Sequence, residues 1–164
     1  MKKLLIIRHA HAEDPDFGQR DFDRKLTSKG REVAQKMGLW LKSEAALQPD
    51  IIVSSPAPRA TETAEIIGKI LDYPEKNYTF EAKIYESSVF DLLFVINHLP
   101  DTAETAFIFG HNPGLAMLAD YLGDMPITSL SKCGMIYLSF EAKSWEMITK
   151  GLGKTHWIQK PKEL

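Results

Sequence analysis

The chain has 164 residues with a formal net charge of −2, 44% of them apolar and 26% charged, proportions that suit one globular domain with a core of its own. That charge gives no electrostatic case for nucleic acid or an anionic membrane as a partner. Cys133 is the single cysteine, which excludes an internal disulfide and a cysteine-based zinc site and suits a reducing, cytoplasmic setting.

Met1-Lys2-Lys3 and Leu4-Leu5-Ile6-Ile7 begin like a signal peptide, but the apolar run stops at Arg8, too soon for a signal-peptide core. Nothing approaches the length of a transmembrane helix. The run reads instead as a short buried strand. Asp14 to Lys25 is a charged, loop-like stretch. Leu26-Thr27-Ser28 supplies an N-cap, and Val33, Met37, Trp40 and Leu41 follow at helical spacing, with an end near Ala45. Ile51-Ile52-Val53 is a strand ending at Ser54-Ser55-Pro56. A second helix runs from about Arg59 to Leu71, with Thr63, Ile66, Ile67 and Ile70 inward, and Tyr73-Pro74 breaks it. A weak extended piece from Asn77 to Ala82 leads to Ile84-Tyr85-Glu86. Val89 to Leu99 reads as a helix, Thr105 to Phe109 as a strand, and Leu115 to Leu122 as a helix stopped by Gly123, with Met117 in the core. Cys133 to Phe140 alternates like a strand, and Trp145 to Thr149 reads as its antiparallel partner.

Alternating strands and helices predict a three-layer α/β/α sandwich with a mostly parallel sheet and an antiparallel edge. Residues 1–164 read as one domain, with a polar, mobile tail from about residue 154.

Three segments share one pattern: an apolar strand, a tight turn carrying cationic or potentially cationic residues, then a helix. They are Ile7-Arg8-His9, Ser54-Ser55-Pro56-Ala57-Pro58-Arg59 and Gly110-His111-Asn112-Pro113. In a parallel sheet these turns emerge on one edge, where open α/β sheets bind ligands. Arg8, His9, Arg59 and His111 then make an anion pocket with no obligatory carboxylate partner. The helix after Arg59 would add its N-terminal amides. Arginine grips phosphate oxygens bidentately, and a neutral imidazole is a nucleophile. The competing reading leaves Arg8 in solvent and His9 incidental.

Taken together, Arg8-His9-Ala10, Leu26-Thr27-Ser28-Lys29-Gly30, the stretch from Ser54 through Arg59 to Ala64, and Gly110-His111-Asn112-Pro113-Gly114 resemble the histidine phosphatase superfamily, the phosphoglycerate-mutase-like group. The length and the Gly-His-Asn-Pro-Gly string are most similar to its SixA branch of phosphohistidine phosphatases. The resemblance implies a phosphoglycerate-mutase-like fold, His9 as the phosphorylated nucleophile, Arg8 and Arg59 as phosphate ligands, and His111 as a donor to the phosphoryl group. It implies no cofactor and no metal. The substrate would be phosphohistidine on a protein, such as a phosphotransfer domain of a signalling relay, or a small phosphoester. The family turn is usually Arg-His-Gly, and this chain has Ala10. Glu86 is the positional candidate for a general acid, against a plain reading as an exposed turn residue. A non-catalytic phosphate- or phosphoprotein-binding module is the alternative of another class, but such a module needs no nucleophile.

The remaining candidates are weaker. His9-Ala10-His11 is also a metal-pair pattern, without a clear set of further ligands. His11 otherwise reads as a rim residue. Ser54 and Ser55 lack the glycine-flanked elbow of serine hydrolases and read as turn or phosphate contacts. His98 reads as structural at a helix end, and His156 has no assigned role. The 14–25 loop follows the catalytic turn and is expected to border the pocket, with Arg20 and Arg24 as secondary contacts.

Overall fold

A computed structural model describes residues 1–164. Leu4 to Ile7 are apolar without alternation because their strand is covered on both faces. Strands β1 (Lys2–Arg8), β2 (Ile51–Ser54), β3 (Thr79–Phe80), β4 (Thr105–Gly110), β5 (Met135–Phe140) and β6 (Gly153–Gln159) form one sheet in the order β3-β2-β4-β1-β5-β6. β1 lies between β4, its parallel neighbour, and β5, its antiparallel one. β2 and β3 continue the parallel part, and β5 with β6 makes the antiparallel edge.

Helices α1 (Ser28–Trp40), α2 (Pro58–Ile70), α3 (Val89–Asn97) and α4 (Gly114–Leu122) complete the outer layers. Leu5 and Ile7 pack with Ala34 and Met37 of α1 and Ala64 and Ile67 of α2. Leu4 and Ile6 point the other way, onto Leu92 and Ile96 of α3 and Leu115 and Leu118 of α4. The period of two along β1 thus feeds two cores, each fully buried side chain contributing about 1.5–3 kcal/mol.

Local chemistry sets the helix starts. The Thr27 hydroxyl accepts from the Gly30 N–H at 3.0 Å, Pro58 opens α2, and Ser88 with Asp91 forms a reciprocal capping box before α3. No helix is long and apolar enough to cross a membrane.

Three sequence expectations are corrected. Trp145 to Thr149 is not the partner of β5: Trp145–Met147 is a short 3-10 turn, and β6 takes that place. Trp145 is fully buried and donates its indole N–H to the Ala103 carbonyl at 2.7 Å, which anchors a turn rather than a strand. The stretch from residue 154 is consequently not a loose tail: it continues β6 to Gln159 and ends in a short turn over Pro161–Glu163. Met117 is exposed on the outer face of α4 rather than in the core. The inner face of α2 is as expected: Thr63 and Ile67 are buried with Arg59, Ala60 and Ala64, while Ile66 packs partly buried on the same core and Ile70 lies half-buried against Gly38 of α1.

Candidate active site

Each of the three strand–turn–helix segments ends at the same edge of the sheet. Arg8 is in register with Gly110, and the His9 N–H donates to the Gly110 carbonyl at 3.0 Å. The Ser55 N–H donates to the Phe109 carbonyl at 3.0 Å. The ends of β1, β2 and β4 are therefore tied to one another, and the turns that follow carry Arg8, His9, Arg59 and His111 to one place.

His9 is buried, and its Nδ1 lies 2.7 Å from the Ala10 carbonyl oxygen. A carbonyl only accepts, so Nδ1 carries the proton and Nε2 keeps its lone pair. Burial, then the neighbouring His111, Arg59 and Arg8, push His9 down to about 3. His111 is pushed down to about 4, by burial first and by Arg59 next. Both rings are neutral around neutral pH, with centroids 5.2 Å apart. Nε2 of His111 is 2.8 Å from the Ser55 hydroxyl, and its buried Nδ1 has no protein partner.

Ala10 replaces the usual family glycine without strain. Its backbone stays out of the left-handed region, and its N–H donates to the Thr63 hydroxyl at 3.0 Å. Thr63 in turn donates to the Arg59 carbonyl at 2.7 Å, joining the His9 turn to the first turn of α2.

The arginines are held from outside the three turns. Arg8 donates from Nη1 to the Leu130 carbonyl at 3.0 Å, and Asn112 donates to the same oxygen at 2.8 Å. The Arg8 N–H donates to the Gly134 carbonyl, and the Cys133 N–H to the His9 carbonyl. The segment leading into β5 thus braces the site along its antiparallel side. Cys133 is buried there, its thiol pushed up to about 12 by desolvation, so it is inert.

Arg59 does have a carboxylate partner, contrary to expectation. It donates from Nη1 to the Asp21 backbone carbonyl at 2.8 Å and from Nη2 to the Asp21 carboxylate at 2.9 Å. The Tyr85 hydroxyl donates to the same carboxylate at 2.9 Å, and the Arg59 guanidinium sits 5.8 Å from the Tyr85 ring centre. The sequence signal for Asp21 was only the position of its loop after the catalytic turn. Nε of Arg8 and Nε of Arg59 are buried without partners. Arg20 and Arg24 pair with Asp23 and Asp21 of their own loop.

Asp21, Arg59, Tyr85, Glu86, His111 and Asn112 line a cavity of about 380 Å³. Glu86 is exposed at its wall with φ of 53°. A larger cavity of about 750 Å³ between α2 and β3, lined by Tyr73, Tyr78 and Phe80, contains none of the converging groups. Of the opening amides of α2, those of Ala60 and Thr61 donate to the Ala57 carbonyl, that of Ala57 to the Ser55 hydroxyl, and Pro58 has none, which leaves that of Arg59 without a protein acceptor. His11 is exposed and bonds Thr27, and His156 bonds Ser139.

The chain is similar to known proteins in sequence and in fold. A sequence model described as the histidine phosphatase superfamily (branch 1) matches residues 4–88. An uncharacterized chloroplastic protein of Arabidopsis thaliana is 32% identical over 154 residues, covering 88% of this chain and 69% of that protein. The protein histidine phosphatase SixA complexed with tungstate has the same fold, with a TM-score of 0.84 at 20% identity over 98% of both chains. A mycobacterial glucosyl-3-phosphoglycerate phosphatase shares the fold at a TM-score of 0.65 and 16% identity, covering 94% of this chain and 96% of that one. By the match over residues 4–88, more than half of its length, the chain belongs to the histidine phosphatase superfamily, branch 1.

Proposed function

We propose that this phosphatase hydrolyses its substrate through a phosphohistidine formed on His9, without a metal. The observation that carries the reading is the His9 ring itself: Nδ1–H is fixed on the Ala10 carbonyl, which leaves Nε2 unprotonated and free to attack. In the first step Nε2 forms a bond to phosphorus while the bond to the leaving group breaks, the electron pair departing with that group. Arg8 and Arg59 neutralise the equatorial oxygens, and the Nε–H of each has no protein acceptor. His111 donates from the ring nitrogen that Ser55 does not hold. Water then attacks phosphorus, the bond to Nε2 breaks, inorganic phosphate leaves, and His9 returns to its neutral form.

The substrate we assign is phosphohistidine on a protein, such as a phosphotransfer domain of a signalling relay. The likeness to the protein histidine phosphatase SixA supports it. So does the chemistry: a leaving imidazole takes up its own proton near neutral pH, since free imidazole titrates at about 6.5. No enzymic acid is then needed. A second reading, a small phosphorylated metabolite, is favoured by Glu86, which reaches the cavity wall where an acid could serve an alkoxide leaving group. Glu86→Gln separates them: phosphohistidine hydrolysis survives it, and hydrolysis of an alkyl phosphate does not. We take residues 1–164 as one catalytic unit acting in the cytoplasm, the setting its single cysteine suits.

The test is phosphate release from a phosphohistidine-bearing protein in EDTA, by wild type and by His9→Ala. Turnover by wild type alone is expected. A folded wild type without turnover would remove the substrate, and small phosphate esters would be tried next. Turnover surviving in His9→Ala would overturn the nucleophile.

A further inference from the structure

We infer that Ser55 is a positioning residue that fixes His111 as its Nδ1–H tautomer and so makes it a donor to the phosphoryl group. The inference deepens the phosphohistidine reading and rests on it for the role of His111. It is argued from the hydrogen-bond inventory of one buried hydroxyl.

Ser55 is fully buried in the turn after β2. Its Oγ has two neighbours within hydrogen-bond distance. The Ala57 N–H donates to it at 3.2 Å, and Nε2 of His111 lies 2.8 Å away. A hydroxyl carries one proton and must place it on an acceptor when buried. An amide N–H is no acceptor. The ring nitrogen is therefore the one place for the Ser55 proton, and Nε2 accepts it.

The opposite assignment fails twice. If Nε2–H donated to Ser55, the hydroxyl proton would be buried with no acceptor. Nδ1, buried with no protein partner in a ring that lines the cavity, would then carry an unused lone pair. A lone pair repels the oxygens of a phosphoryl group. With Ser55 donating, Nδ1–H is the single unsatisfied group, and a phosphoryl oxygen satisfies it. His111 is neutral near neutral pH, so its tautomer decides whether it donates.

The neighbouring Ser54 makes the contrast. Its hydroxyl, equally buried, donates to the Ser55 carbonyl at 2.9 Å and reaches neither histidine. Two adjacent serines thus divide the work, the first closing the turn and the second holding a ring.

Long-range proton–nitrogen correlation of protein with ¹⁵N-labelled histidine, in phosphate-free buffer, reads the tautomer directly. Wild type is expected to show a pyrrole-type Nδ1 and a pyridine-type Nε2 for His111. The reverse pattern overturns the inference, whatever the enzyme's substrate. In Ser55→Ala the His111 pattern should move toward Nε2–H, and kcat on a phosphohistidine-bearing protein should fall about a hundredfold to a thousandfold, as for loss of one oriented donor. Ser55→Thr, which keeps the hydroxyl, should restore both. An unchanged tautomer in folded Ser55→Ala overturns the inference. If neither variant folds, the wild-type spectrum decides alone. Absence of turnover in wild type with the Nδ1–H pattern intact would instead count against the phosphohistidine reading.

Discussion

Acidification from about pH 7.5 to about pH 5 should remove stability that resides in His9 and His111. Both rings are more than nine-tenths buried, at 6% and 8% exposure. Folding lowers them from 6.5 to about 3 and about 4. Between those values and 6.5 the unfolded chain binds protons that the folded chain refuses, so stability is fully present above the ordinary imidazole range and falls as the pH drops through it. Each pH unit below that range costs about 1.4 kcal/mol per ring. At about pH 5 the loss is about 2 kcal/mol per ring and about 4 kcal/mol for the pair. His9→Asn removes one titrating ring while keeping an N–H for the Ala10 carbonyl. Urea unfolding of both proteins at the two pH values, in phosphate-free buffer, measures the difference. The remaining histidines, His11, His98 and His156, are exposed and common to both, so they cancel. Wild type should lose about 2 kcal/mol more than His9→Asn. An equal loss in the two proteins would refute the argument that His9 is held neutral by burial.

Arg59→Lys keeps the charge but loses the fork that reaches both Asp21 and a phosphoryl oxygen, so kcat/KM should fall about a hundredfold, read by phosphate release. Gly30→Ala would drive a Cβ into the His11 backbone carbonyl. Its stability should drop by about 1–3 kcal/mol, seen as a lower urea midpoint with an unchanged slope. Trp145→Ala empties a fully buried site and removes one of the two donors to the Ala103 carbonyl, leaving the Lys2 ammonium at 3.0 Å. It should cost about 3–5 kcal/mol in urea unfolding, while the kcat of the protein still folded stays at the wild-type value.

The converging turns were legible because each is announced locally. An apolar run, a glycine or proline, and a basic residue at the end of a strand fall within a few positions of one another in Ile7-Arg8-His9, Ser54-to-Arg59 and Gly110-His111. Parallel topology then does the rest. β6 was missed because an edge strand needs little apolar sequence: Lys154 and His156 face solvent, and only Trp157 and Ile158 signal contact with the cores. Trp145 misled in the opposite sense, since a large aromatic that anchors a turn resembles the start of a strand. Asp21 reaches Arg59 across 38 positions of chain and Tyr85 across 64. Such pairings have no period and no local punctuation. The Ser55–His111 bond, 56 positions apart, is hidden for the same reason.

The carbonyl of Leu130 receives both Arg8 and Asn112, and this has a consequence for how the enzyme can be cut and recombined. A fragment ending with α4 at Leu122 would contain every side chain assigned to the chemistry. It would lack the anchor of Arg8 and the whole antiparallel neighbour of β1. Grafts that transplant the strand–turn–helix units alone inherit the same defect. The inheritable unit of this active site is therefore larger than its reactive groups, and its far side is drawn by backbone groups from Leu130 to Gly134 that no residue-type motif can record.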